Sequence, residues 1–250
     1  MTHTAIIGGT GLTWLPEFEE THREKLITPW GEPSSDIIHG KLFGAEIVFL
    51  ARHGEKHTIP PHRINYRANI QALKESGVIS IIAAAAVGGI RADLGPAKIA
   101  IPSQIIDYSH GRAGTFFEDK LDHVTHIDFT HPYSPGLREK LLDAGFRAGL
   151  RVIDGGVYAC TQGPRLETPA EIIRIERDGG DMVGMTGMPE AALARELGMD
   201  YAACAIVANW AAGKSNQEIT MAEIEGNLLK GMADFANLLR HCLCSTMALQ

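Results

Sequence analysis

The sequence predicts an α/β fold: one layered domain built around a central sheet. Three observations carry this. Short β-rich apolar runs recur along the whole chain, helical periodicities fall between and after them, and no internal repeat, low-complexity segment or linker interrupts the alternation. With 250 residues, 45% of them hydrophobic, the chain has apolar mass for one sizeable core, so a single domain over 1–250 is expected.

The first run, TAII at 4–7, leads straight into GGTG, with three glycines in four residues. EIVFLAR (46–52) and VISIIAAAAV (78–87) follow, then KIAIPSQII (98–106), VIDGGVYACT (152–161), DMVGM (181–185) and YAACAIVAN (201–209). Several are nearly continuous apolar stretches, the pattern of strands covered on both faces. Residues 64–76 carry apolar positions at helical spacing and stop before Gly77, while Ser134-Pro135 opens a second helix that runs to about Ala148. Thr168-Pro169-Ala170-Glu171 reads as a capping box with proline at the first helical position. Thr220-Met221-Ala222-Glu223 is another; it starts a long helix with Leu228, Leu229, Met232, Phe235, Ala236, Leu239 and Leu243 on one face.

The formal net charge of −7 argues against a nucleic-acid surface, which needs a basic face. No run reaches the ~18 apolar residues of a membrane span. The start, MTHTAIIGG, lacks the basic and long apolar regions of a signal peptide. Of Cys160, Cys204, Cys242 and Cys244, three lie in apolar surroundings and none forms a CxxC pair. Neither a disulfide framework nor a metal site is expected, and the cytoplasm is the expected location.

Four stretches have the residue types of a binding site. Gly8-Gly9-Thr10-Gly11 offers backbone N–H groups and a hydroxyl, suited to an anion. It has neither the GxGxxG spacing of a dinucleotide site nor the GK[ST] of a triphosphate loop, so it stands between an anion cradle and a plain tight turn. In ARHGEKHT (51–58), Arg52 and His53 put cationic donors at a strand end, and His57 follows four positions after His53. In AAAAVGGIR (83–91), small residues permit close approach, by a ligand or by a neighbouring strand. In TQGPRLETPAE (161–171), Glu167 is either a favourable charge before a helix or an acceptor for a ligand N–H. In an open α/β sheet these loops gather at the carboxyl ends of strands, where a shared anion site would form.

The ordered set IIGGTGL, ARHGEKHTIPPHRINYRAN, AAAAVGGIR, THIDFTHPYSP, TQGPRLET, DMVGMTGMPE and AIVANWAAG spans nearly the whole chain. It resembles the trimeric class of purine nucleoside phosphorylases, and most closely the branch acting on 5′-methylthioadenosine. The resemblance implies a three-layer α/β/α domain with a mixed central sheet. It also implies a pentosyl transfer in which phosphate displaces a purine from C1′ of a ribose. By it, Thr10, Arg52, His53, Ala85, Ala86 and Thr186 surround free orthophosphate, the co-substrate, with no cofactor and no metal. Met185, His57, Met221 and Ile224 would face the ribose and its 5′ substituent, and His126 would close that pocket from a neighbouring subunit of a homotrimer. Leu166, Glu167, Asn209 and Ala211 fall at base positions, with Asn209, Glu167 and His53 as the catalytic set. Arg52→Ala is expected to lose most activity in a protein that stays folded, since a bidentate charged contact to phosphate is lost.

The chain departs from the methylthioadenosine branch at the base. Asn209 and Ala211 stand where that branch has aspartates, Leu166 replaces a phenylalanine, and Ala85 replaces a threonine. Asparagine can give an N–H to O6 of a 6-oxopurine while its carbonyl accepts the proton gained at N7. Glu167 would accept N1–H, and a glutamate there is a feature of the 6-oxopurine branch. The expected substrate is therefore 5′-methylthioinosine. The methylthioadenosine and general 6-oxopurine nucleoside activities are the alternatives.

Overall fold

The computed structural model describes residues 3–9, 17–119, 121–216 and 218–244. Eleven strands form one mixed sheet. The predicted runs become β1 (His3–Gly8), β4 (Ala45–Ala51), β5 (Val78–Gly89), β10 (Met182–Gly184) and β11 (Asp200–Trp210). Two predicted runs each divide in two. Pro102, with no N–H to give, separates β6 (Ile99–Ile101) from β7 (Gln104–Asp107). Gly155 and Gly156, at φ 80° and 99°, turn the chain between β8 (Ile153–Asp154) and β9 (Val157–Cys160). An antiparallel edge, β2 (Phe18–Glu24) and β3 (Ile37–Leu42), was not predicted: β2 is FEETHRE, mostly exposed, and carries no apolar run.

The helices are α1 (Tyr66–Glu75), α2 (Pro135–Arg147), α3 (Pro169–Arg177), α4 (Gly187–Glu196) and α5 (Met221–Cys244). The strands alternate as covered strands must. Ile6, Phe49, Ile82 and Cys204 face α2 and α5, while Ile7, Val48, Ile81 and Ala203 face α1 and α4. This is a three-layer α/β/α sandwich. The Thr168 capping box forms in both directions at the start of α3. Ser134 does not cap α2; its hydroxyl accepts the Tyr201 N–H at 3.0 Å and ties α2 to β11. The long helix buries Phe235, Leu238, Leu239, Cys242 and Leu243, but Leu229 is 75% exposed. Phe235, Leu239 and Leu243 lie where the stripe predicts, but Leu238 and Cys242 are buried in place of Leu229, because Gly231 lets α5 lie directly on Ile206. Among the described residues, no helix is long and apolar enough to cross a membrane.

The sheet order β2-β3-β4-β1-β5-β10-β9-β7 contains an interruption that matters for function. β11 pairs with β5 continuously from Ser80 to Gly89 and so fills one edge of that strand. The other edge is shared. β1 runs parallel to its first half, up to Ala83, and β10 runs antiparallel to its end, at Gly88 and Gly89. Between them, among the described residues, the backbone of residues 84–87 has no strand partner on that side. Ala86 is exposed there, in the middle of an otherwise buried segment of β5.

Candidate active site

The carboxyl ends of β1, β4, β9 and β10 all converge on this interruption. β1 and β4 end together, with Gly8 opposite Ala51, and the Arg52 N–H donates to the Gly8 carbonyl at 3.0 Å. From the other side β9 and β10 end with Gly184 opposite Cys160, and β10 heads back along β5. The sequence placed the sites at strand ends, and four strands comply. β5 is the exception: Ala86 offers the middle of a strand, made accessible by a missing neighbour rather than by a loop, while Ala85, expected beside it, is buried in the apolar cluster with Val87 and Tyr158 because strand alternation turns its backbone to β11. Thr10 lies outside the described residues.

Arg52 is only 2% exposed, and its fork is occupied. Nε and Nη2 donate to the two oxygens of Glu190, each at 2.7 Å, and Nη1 donates to the Ala84 carbonyl at 2.9 Å. The Tyr201 hydroxyl adds a bond to Glu190 Oε1 at 2.9 Å. Burial alone would lower the Arg52 pKa; the adjoining carboxylate outweighs it and holds the guanidinium above its usual value. The bidentate partner of Arg52 is thus a protein carboxylate. One N–H on each terminal nitrogen is left for an anion at the interruption. This corrects the expectation for Arg52→Ala, because removing the guanidinium would strand a buried carboxylate and weaken the fold along with any anion site.

His53 accompanies Arg52, its Nδ1 2.9 Å from the Ile59 carbonyl, which assigns the proton to Nδ1 and a lone pair to Nε2. Burial, then the charge of Arg52, pushes its pKa from 6.5 down to about 4. Between these values the unfolded chain binds the proton and the folded chain does not. The stabilising effect of the neutral ring is complete above about 6.5 and is lost as pH falls toward 4. The melting temperature is expected to drop across that window, and less so in His53→Gln; parallel wild-type and variant curves would contradict the assignment. His57, expected at the 5′ substituent, makes other contacts. Its ring stacks on His53 with centroids 4.6 Å apart, and it lies 3.7 Å from where a Cβ on Gly9 would sit. It belongs with the glycine loop.

Thr186 is buried at the start of α4, and its hydroxyl makes no capping bond there. Met185 precedes it and packs on Gly163, where φ is 62° and a Cβ would come within 2.4 Å of the Met185 sulfur. That contact joins the two loops that leave β9 and β10. Thr161 reinforces it: its N–H donates to the Gly184 carbonyl at 2.8 Å and its hydroxyl to Glu167 Oε1 at 2.7 Å. Glu167 is half-buried and held through one oxygen, which leaves Oε2 as an acceptor. Leu166 beside it is 47% exposed, at the lip.

Asn209 is 7% exposed and sits where β11 bulges, opposite Gly88. Its Nδ2 donates to the Trp210 carbonyl at 2.7 Å; among the described residues its Oδ1 has no partner. Gly88 also pairs with Val183 of β10, and β10 with β9, so the Glu167 loop leaves the sheet about three strand spacings from Asn209, on the order of 15 Å. Ala211, expected at the base, lies instead in the apolar cluster with Ile172, Ile175 and Val183 and is 3% exposed. It packs beneath the site, because a methyl group there fills the space left by Gly88. Asn227 of α5 donates to the Ala208 carbonyl at 2.8 Å, which fixes the start of α5 at the Asn209 end of β11. The Thr220 hydroxyl accepts the Glu223 N–H at 3.2 Å and caps that helix. Met221 is 67% exposed and Ile224 half-buried, so neither joins the helix's own core packing. His126 is exposed on the 108–132 segment.

Three residues of this site were not predicted from sequence: Glu190, Thr161 and Arg112. Glu190 had a visible signal, a single carboxylate in the apolar run MTGMPEAALA, where burial requires a cationic partner.

The structure thus brings together an exposed stretch of strand backbone, the buried Arg52, the half-buried Glu167 carboxylate and the buried Asn209 amide around one interruption of the sheet. The sequence matches the phosphorylase superfamily over residues 3–243, and the chain belongs to that family. It is 57% identical to a probable S-methyl-5′-thioinosine phosphorylase of Pseudomonas syringae pv. tomato, over 93% of this chain and 94% of the relative. It is 46% identical to the 6-oxopurine nucleoside phosphorylase of Pyrococcus furiosus, over 96% and 91% of the two chains. The methylthioadenosine phosphorylase of Schistosoma mansoni, solved in complex with adenine, superposes with a TM-score of 0.91 at 29% identity, covering 100% of this chain and 93% of that one.

Proposed function

We propose that this enzyme phosphorolyses S-methyl-5′-thioinosine to hypoxanthine and 5-methylthioribose 1-phosphate. The observation that carries the reading is the pair Asn209 and Glu167. Each keeps an unengaged acceptor, and Asn209 keeps an unengaged N–H, at the end of the cleft away from Arg52. A 6-oxopurine matches this set: Asn209 gives an N–H to O6, and Glu167 Oε2 accepts N1–H. The Pseudomonas and Pyrococcus relatives both carry 6-oxopurine names, which supports the same choice.

In the reaction the C1′–N9 bond breaks and a phosphate oxygen bonds to C1′. Positive charge grows on the ribose and negative charge on the departing purine. Phosphate held by the free backbone at Ala86, the Thr186 hydroxyl, the Thr10 hydroxyl, His53 and the remaining Arg52 N–H groups stabilises the first. The departing purine takes up at N7 the proton that hydrogen phosphate loses, and Asn209 Oδ1 accepts a hydrogen bond from that N7–H and so stabilises the second. Fixed donors and alignment supply the acceleration, with phosphate as co-substrate and no cofactor. Met221 and Ile224 form the apolar floor for the 5′-methylthio group, covered by His126 of a neighbouring subunit in a homotrimer; the exposure of all or part of these side chains in one chain supports this.

A nucleoside panel assayed with and without phosphate tests the reading. Release of free base is expected only with phosphate. The 5′-methylthio nucleoside is expected to exceed inosine in kcat/KM by about tenfold or more, since burying a small apolar group is worth ~1–3 kcal/mol. Phosphate-independent release of base contradicts the mechanism, and equal use of inosine contradicts the pocket.

A further inference from the structure

Arg112 lies in none of the motifs that identify the family, on the irregular 108–132 segment, yet its guanidinium is the most heavily bonded group near the cleft. Nη1 donates to the Met185 carbonyl at 2.9 Å, to the Met188 carbonyl and to the Tyr66 hydroxyl at 3.3 Å. Nη2 donates to the Thr161 carbonyl at 3.2 Å and the Gln162 carbonyl at 3.0 Å, and Nε to Gln162 Oε1 at 3.2 Å. All five N–H groups are engaged. The guanidinium also lies 5.5 Å from the centre of the Tyr66 ring on α1.

The four carbonyls belong to two loops with different tasks. Those of Met185 and Met188 bracket Thr186 on the phosphate side; those of Thr161 and Gln162 begin the loop that ends in Glu167 on the base side. Among the described residues, the other bonds joining these segments end on the strands themselves: Thr161 donates to the Gly184 carbonyl, the Met188 N–H donates to Cys160 Sγ, and the Thr186 N–H donates to the Tyr158 hydroxyl. We infer that Arg112 is a positioning residue that fixes the distance between the phosphate and base halves of the site. The inference rests on the phosphorolysis proposed above. The reaction needs a phosphate oxygen and C1′ brought together along the line of the breaking bond, so an error in this spacing affects the chemical step while each half keeps its own contacts. A lysine retains the charge but, as a compact ammonium with three donors, cannot span both loops.

Arg112→Lys is therefore expected to lower kcat by about 100-fold, the effect of a roughly 1 Å misplacement, with KM for phosphate and nucleoside each within about threefold of wild type. Hypoxanthine and inorganic phosphate, titrated separately, are expected to bind the variant as they bind wild type. Unchanged kcat overturns the inference. So does a rise in KM with kcat intact, which would make Arg112 a binding group. Should Arg112→Lys not fold, Gln162→Ala decides: it removes the acceptor shared by Arg112 Nε and the His110 N–H, and kcat is expected to fall with KM kept. An unchanged kcat in Gln162→Ala then overturns the inference. Wild-type protein inactive on the whole nucleoside panel overturns the phosphorolysis reading and this role with it, whereas active wild type beside unaffected variants overturns this role alone.

Discussion

Glu190→Gln is expected to destabilise the protein by about 3–5 kcal/mol, because it leaves the Arg52 guanidinium buried without its counter-charge. For a chain of this size that corresponds to a fall in melting temperature of roughly 6–20 °C. Both partners are almost wholly buried, and both carboxylate oxygens are already bonded, so water cannot replace the missing charge. Arg52→Ala is expected to cost as much for the mirror-image reason. Arg52→Met/Glu190→Met is expected to be less destabilised than the sum of the singles, since a buried pair replaced by apolar groups of similar volume leaves nothing unpaired. Calorimetric scans of the four proteins check this; single variants within about 1 kcal/mol of wild type would show the pair to be energetically idle. The double variant should still be inactive if the two remaining Arg52 N–H groups hold phosphate, which separates the structural role of Arg52 from its functional one.

The second large effect concerns the base. S-methyl-5′-thioinosine is expected to be preferred over 5′-methylthioadenosine by ~10⁴-fold or more in kcat/KM, the penalty for two mismatched polar contacts in a closed site. Adenine would set its N1 lone pair against Glu167 and its N6 donors against the Asn209 N–H. Thr161 holds Glu167 in place through Oε1, so the carboxylate cannot swing away to relieve the first mismatch. Asn209→Asp replaces the donor to the Trp210 carbonyl with a second acceptor, so the side chain must leave its present rotamer. The variant is expected to lose activity on the thioinosine. It should gain little on the adenine form while Glu167 remains. Both nucleosides measured in one preparation of each protein decide the matter, and faster wild-type cleavage of methylthioadenosine would falsify the base assignment.

Much of this was legible in the chain itself. Seven apolar runs marked nine of the eleven strands, with two runs hiding a break each. Local chemistry explains that success: strand propensity, proline at a first helical position and the Thr168 box act over a few residues. The same local rules could not see β2, whose pairing to β3 buries almost nothing of FEETHRE, nor α4, whose start holds Met188 in an extended conformation. They also misplaced Leu229, because the facing surface of β11, through Gly231 on Ile206, chose which side of α5 is buried.

The glycine loop, the Arg-His pair and Glu167 stood out in the sequence because their chemistry is unusual for where they stand, and Asn209 entered through the family resemblance. Three other features were decided only by the folded chain. The opening at Ala86 exists because β1 and β10 share one edge of β5 without meeting. Arg52 meets Glu190 across 138 positions. Arg112 gathers backbone carbonyls, and every residue has one, so no side-chain pattern could announce them. Sequence determines which groups are available and what the nearest neighbours do with them; which distant groups meet is set by how the strands divide a common edge, and that is a property of the packed sheet alone.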